Sequence, residues 1–122
     1  MSTVRRFEDL EVWKKAREIA KLVYEVTSNP QFNKDLRLRN QMRDAAVSIM
    51  SNIAEGFTRN TDKEFKQFLY VSRASAAELQ SESYVALDQR YITVQAFKRL
   101  YEESDHTSRM LCNLIKYLRG DA

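Results

Sequence analysis

Asn52-Ile53-Ala54-Glu55-Gly56-Phe57-Thr58-Arg59-Asn60-Thr61-Asp62-Lys63-Glu64-Phe65 holds a helix stop and a helix start in close succession. Gly56 is placed to take the left-handed conformation that closes a helix. Thr61-Asp62-Lys63-Glu64 reads as a capping box, in which the Thr61 hydroxyl accepts from the Glu64 amide and the Glu64 carboxylate reaches back. Forward from the box, Phe65, Phe68/Leu69, Ser72, Ala76, Leu79, Ser83 and Leu87 recur at helical spacing and predict a helix over 62–90. Backward from Gly56, Ile53, Ile49, Ala46 and Met42 mark another over about 34–55, opening near Asn33 or Asp35.

The flanks repeat the pattern. Val12, Ala16, Ile19, Val23 and Val26 form one stripe of a helix over 8–27, which Asn29-Pro30 ends because proline disfavours helical geometry before it. Thr93 opens a fourth helix over 94–119, with Phe97, Leu100/Tyr101, Ser104, Leu111 and Leu114/Ile115 as its stripe and Gly120 as its stop. With two glycines and one proline, the chain lacks the frequent turn signals of a sandwich or barrel. Four near-equal rods with short connections predict an all-α fold, an antiparallel up-down-up-down four-helix bundle, as one domain over 1–122.

At 122 residues, 43% apolar and 30% charged, the chain is long enough for an ordinary hydrophobic core without staples. A lone cysteine, Cys112, makes no intramolecular disulfide, and with one histidine, His106, there is no Cys/His cluster for zinc; no metal and no cofactor are expected. No apolar run is long enough to span a membrane, and acidic residues follow Arg6 where a signal peptide needs an apolar core, so a cytoplasmic location is expected. Lys and Arg number 20 against 17 Asp and Glu, a net +3. Residues 1–66 hold 13 basic and 10 acidic side chains and the remainder 7 of each, so the whole excess lies in the first half.

Small residues at mid-length on the second and third helices, Ala45, Ala46, Ser48, Ser51 and Ala54 against Ser72, Ala74, Ser75, Ala76 and Ala77, predict a close approach of the two axes. Any serine buried there can return its hydroxyl to the carbonyl four residues back. A second stripe is superfluous for a lone bundle. Tyr70, Ala77, Tyr84 and Tyr91 repeat every seven residues on the third helix, and Trp13 and Tyr24 flank the core face of the first. Trp13, Tyr24, Tyr70, Tyr84 and Tyr91 are therefore the candidate oligomer interface, since tyrosine and tryptophan bury large area while keeping a polar handle. The alternative is that they flank a wide core.

The chemistry points away from catalysis. No nucleophile with a convincing base, no glycine-rich phosphate loop and no Glu-x-x-His pair is present, so no enzyme is expected. Asn52 and Glu55 read as groups that satisfy the polar end of a helix. The useful lead is basic: Lys14, Arg17 and Lys21 share one face of the first helix, and Lys34, Arg37, Arg39 and Arg43 crowd the start of the second. Such faces suit phosphates. Against this, Glu11/Lys15, Lys14/Glu18, Lys21/Glu25 and Asp62/Lys66 are spaced for ordinary ion pairs on solvated helices.

Phe7-Glu8-Asp9-Leu10-Glu11-Val12-Trp13-Lys14-Lys15-Ala16, Gln41-Met42-Arg43-Asp44-Ala45-Ala46-Val47-Ser48-Ile49, Asn52-Ile53-Ala54-Glu55-Gly56 and Glu64-Phe65-Lys66-Gln67-Phe68-Leu69 resemble a bacterial four-helix-bundle family over roughly residues 5–118. Its members were first named for reading frames within intervening sequences of 23S ribosomal RNA genes. The resemblance implies a homopentameric ring and a non-enzymatic role connected with RNA. A related accessory protein of diversity-generating retroelements is a basic pentamer that binds nucleic acid and a reverse transcriptase, which makes RNA and a reverse transcriptase the implied partners.

This chain departs from the family twice. Ala74-Ser75-Ala76-Ala77 stands where a Gly-Ser pair is common, and Gln89-Arg90-Tyr91-Ile92 lacks the usual glycine of the turn into the fourth helix. Two functions then compete: an RNA-associated oligomer whose basic faces contact phosphates, five copies of +3 giving +15, and a protein-binding adaptor or scaffold with no nucleic-acid role.

Overall fold

In the computed structural model, which describes residues 4–120, four helices run Glu11–Thr27 (α1), Leu36–Phe57 (α2), Asp62–Asp88 (α3) and Val94–Leu118 (α4). Side chains cap three of the starts. Asp35 Oδ1 accepts from the Leu38 amide at 3.1 Å, Thr61 Oγ1 from the Glu64 amide at 3.2 Å, and Thr93 Oγ1 from the Ala96 amide at 3.1 Å. Glu64 reaches back, with Oε1 accepting from the Thr61 hydroxyl at 3.4 Å where a full capping box would take the Thr61 amide. Contacts join α1 to α2, α2 to α3, α3 to α4 and α4 back to α1, while diagonal pairs scarcely meet. Short connections make successive neighbours antiparallel, so the chain is a four-helix bundle. Its axis is filled by Ala16, Val23, Met42, Ala46, Ile49, Ile53, Leu69, Ala76, Leu79 and Leu111, all inaccessible to solvent.

The bounds of α1, α2 and α3 differ from their sequence reading. α1 begins after Leu10, because Phe7–Asp9 form a separate 3-10 turn and Leu10 turns extended to enter the core. α2 begins after a second 3-10 turn, Pro30–Lys34, and continues through Gly56 to Phe57. Gly56 is thus a helical residue, and its small size serves a different purpose. A Cβ there would lie 2.7 Å from Phe68 Cβ and 3.2 Å from the Phe65 carbonyl oxygen, so the glycine lets α3 pass directly over α2.

α3 ends at Asp88, short of the predicted 90, through a left-handed residue that is not glycine: Arg90 has φ 63°. The Tyr91 amide returns to the Ala86 carbonyl at 2.9 Å and the Arg90 amide to Leu87 at 3.0 Å, a Schellman closure built without glycine. Gly120, at φ 78°, closes α4 as its position implies.

The small-residue seam between α2 and α3 is polar and cross-linked. Ser72 donates to the Ile49 carbonyl at 2.9 Å, Ser48 and Ser75 hydroxyls lie 2.8 Å apart, and Asn52 Nδ2 donates to the Ser48 carbonyl and hydroxyl at 2.9 and 3.0 Å. Ser83 alone among the seam serines returns to its own helix, at Leu79, 2.7 Å away. Ser48, Ser72 and Ser75 bond between helices, because close axes bring the neighbouring groups within reach.

Candidate functional site

On α1, the flank toward α2 carries Trp13, Arg17, Ala20 and Tyr24, and the outer flank carries Lys14 and Lys21. The seven candidate phosphate contacts divide by surroundings. Lys21 and Arg37 are exposed with no polar or ionic partner among the described residues. Arg17 is exposed with its guanidinium 5.9 Å from the Trp13 ring centroid. Lys34 donates to Gln31 Oε1 at 3.2 Å, and Lys14 pairs with Glu11 at 3.3 Å. Arg39 is half-buried and bonds Asn40 Oδ1 at 3.3 Å.

Arg43 is withdrawn from the outer face. Its Nε donates to Thr27 Oγ1 at 2.9 Å and its guanidinium lies 4.5 Å over the Tyr24 ring, holding α1 to α2. The ion pairs also differ from the i, i+4 reading: Lys14 turns to Glu11, and Lys15, half-buried, turns to Glu18 at 3.8 Å and to Glu103 on α4. A partner on the adjacent helix competes with the pair along α1 because Lys15 lies at the α1–α4 contact.

The five aromatic candidates also separate. Tyr24, Tyr70 and Tyr84 stand exposed at 46%, 42% and 49% of their surface. Tyr84 joins Phe97 and Tyr101 on α4, with ring centroids 4.7 and 6.0 Å away, in an aromatic cluster the sequence reading missed. Trp13 is half-buried, edge-on to Phe7 at 5.1 Å. Tyr91 lies beyond the end of α3, off the heptad line, where the turn folds it onto Phe32 at 5.2 Å and its hydroxyl reaches Asp35 Oδ2 at 3.5 Å. Burial, with the Asp35 carboxylate beside it, pushes the Tyr91 phenol above its ordinary value.

A second polar feature was also missed. Between α2 and α3, Gln41, Asp44, Ser48, Ser75, Glu78 and Glu82 line a cavity of about 330 Å³ that contains no lysine or arginine. Glu82 Oε1 is out of solvent and has no hydrogen-bond partner. Burial, then the charges of Glu78 and Asp44, push the Glu82 carboxyl up to about 7. The available signal was Glu78 and Glu82 themselves, like charges one helical turn apart. His106 is exposed on α4, Cys112 is half-buried, and no cluster of His, Cys, Asp and Glu among the described residues is arranged to hold a metal ion. No helix among them is long and apolar enough to cross a membrane.

No curated protein matches the sequence. A solved structure from Bacteroides thetaiotaomicron VPI-5482, described as a protein with unknown function from the S23 ribosomal protein family, superposes with a TM-score of 0.79 at 22% identity. The alignment covers 86% of this chain and 98% of that one, and at this identity it speaks for the fold. The family signal itself lies in the sequence, over residues 8–113, and takes in the seam of α2 and α3, the Arg43–Tyr24 contact and the capping box at Thr61. With that span matched, the chain belongs to the 23S rRNA-intervening sequence protein family.

Proposed function

We propose that the protein is a non-enzymatic, self-associating bundle of the cytoplasm that binds RNA through its phosphates. The observation that carries this reading is the set of exposed cations Arg17, Lys21 and Arg37, which spend no charge on a carboxylate among the described residues. Lys34, in the turn that precedes α2, lends further positive charge, while Lys14 on α1 shares its charge with Glu11. The family's name, which ties it to intervening sequences of 23S rRNA, supports RNA as the polyanion. Contacts of this kind neutralise phosphates without reading base edges, so they favour folded RNA of many sequences.

A single chain at +3 is a weak electrostatic partner, and repetition is what strengthens it. The exposed Tyr24, Tyr70 and Tyr84 supply apolar surface for self-association, and the ring of five implied by the family resemblance is the assembly adopted in this reading. A gel-shift titration with structured RNA at rising salt tests it. Affinity should fall steeply with salt, and Lys21→Gln with Arg37→Gln should weaken binding and lower the salt slope by about one to two ions. Absence of binding at low salt would remove the RNA role.

The adaptor reading has its own observation, the Tyr84–Phe97–Tyr101 cluster, an exposed aromatic surface suited to a protein partner such as a reverse transcriptase. Retention of a protein partner by a chain that ignores RNA would favour it.

A further inference from the structure

The acidic cavity and the anchored arginine lie on adjoining flanks of the bundle, and α2 belongs to both. Arg43 turns toward α1, onto Tyr24 and Thr27, while Asp44, the next residue, turns toward α3 and faces Glu78 and Glu82. Heights along the bundle are fixed by the seam: Ser48 meets Ser75, and Ile49 meets Ser72. One turn further along, Asp44 and Gln41 share their cavity with Glu78 and Glu82. Arg43 and the three carboxylates therefore occupy the same level, facing different sides.

The cations and anions are each incomplete. Arg43 commits Nε to Thr27 and its face to Tyr24, leaving its two terminal nitrogens without a partner among the described residues. Those nitrogens are the fork that suits a carboxylate. The cavity has three carboxylates and no cation, and Glu82 Oε1 is buried without a donor. Apolar surface follows the same division. Leu36 and Val47 stand exposed on α2 either side of Arg43, and Val71 and Val85 stand exposed on α3 either side of the acids.

We propose that a second copy of this chain covers the acidic α2–α3 flank, placing its Arg43 among Asp44, Glu78 and Glu82 with Leu36 and Val47 against Val85 and Val71. This pairing rests on the self-association reading above and moves its contact to the α1–α2 and α2–α3 flanks, leaving Tyr70 and Tyr84, on the α4 side of α3, outside it. Rotation about an axis parallel to the bundle keeps every residue at its own height, which is the condition that Arg43 and the carboxylates satisfy. The contact is head-to-tail, because the arginine flank of one copy meets the acidic flank of the next. Flanks that adjoin at roughly 90–120° close a head-to-tail series into a ring of about four to six copies, whereas opposite flanks would extend it as a filament. Arg43 is then a subunit contact and leaves the list of RNA ligands.

Light scattering on purified wild type, Arg43→Glu, Glu78→Arg and the variant carrying both changes tests the pairing, with far-UV circular dichroism to follow helix content. Glu78 is exposed, so Glu78→Arg leaves the fold in place even if Arg43→Glu disturbs the α1–α2 contact. The expected result is a multi-chain mass for wild type, a fall toward the 14.4 kDa chain for each single reversal, and recovery of mass when both are combined. A wild-type assembly that keeps its mass in both single variants overturns this pairing and leaves self-association standing. Wild type at the mass of one chain overturns both.

Discussion

Glu82 is the residue whose charge the isolated bundle accommodates least. Its neighbours are Asp44 and Glu78, both acidic, and the neutral Gln41, and its Oε1 has no donor. With a folded value of about 7 against 4.5 for an ordinary glutamate, the folded chain holds this proton more tightly than the unfolded one. The stability this supplies is complete below about 4.5 and is lost as pH rises through about 7. In dilute protein, raising the pH from about 5 to about 8 should therefore lower this site's contribution to unfolding free energy by about 1–2 kcal/mol, solvent at the open mouth limiting the effect. Glu82→Gln should flatten that dependence and be the more stable form at the alkaline end. Urea titrations across the range check it, and parallel pH profiles for the two proteins would refute it. The sequence displayed Glu78 and Glu82 one turn apart but did not reveal Asp44 opposite them, because that meeting depends on which flank of α2 turns to α3.

At the scale of elements, the starts of α2, α3 and α4 were legible, whereas the start of α1 and the ends of α2 and α3 were not. Asp35, Thr61 and Thr93 cap through bonds to amides three residues ahead, so the signal is local and complete in the sequence. Gly56 and Arg90 show why ends are harder. Gly56 answers to Phe65 and Phe68 on another helix, and Arg90 adopts its left-handed backbone although glycine would do so more cheaply. The close approach at Gly56 makes a definite prediction. Gly56→Ala gains about 1 kcal/mol of helix propensity. It also forces a methyl group against Phe68 Cβ at 2.7 Å and the Phe65 carbonyl oxygen at 3.2 Å, neither of which is the end of a flexible chain. A contact of 2.7 Å belongs at the upper end of the roughly 1–3 kcal/mol that overpacking costs, so after the propensity gain the net change should be a destabilisation of about 1–2 kcal/mol. Chemical denaturation reads it, and a variant as stable as wild type would mean that α3 can move away from α2 without penalty.

For the whole molecule, the order of helices around the bundle followed from their lengths and short connections, but the use of its flanks did not. Aromatic residues chosen by heptad position proved unequal, since Tyr91 is turned inward by Phe32 while Tyr84 joins Phe97 and Tyr101 outside. Basic residues chosen by helix face were also unequal, because Arg43 is anchored on Tyr24 whereas Lys21 and Arg37 stand clear. If assembly is what turns modest charge into RNA affinity, charge and assembly can be set against each other in one variant. Glu78→Arg removes one negative unit and adds one positive, taking the formal charge from +3 to +5 per chain. Were phosphate attraction by single chains sufficient, this variant would bind structured RNA more tightly than wild type. If the reversal separates the copies, each chain loses the effective concentration that linked sites provide, and affinity at about 0.1 M salt should drop about tenfold or more despite the added charge. Filter binding beside light scattering on the same samples decides the matter: tighter binding by dissociated Glu78→Arg would show that the ring contributes nothing to holding RNA.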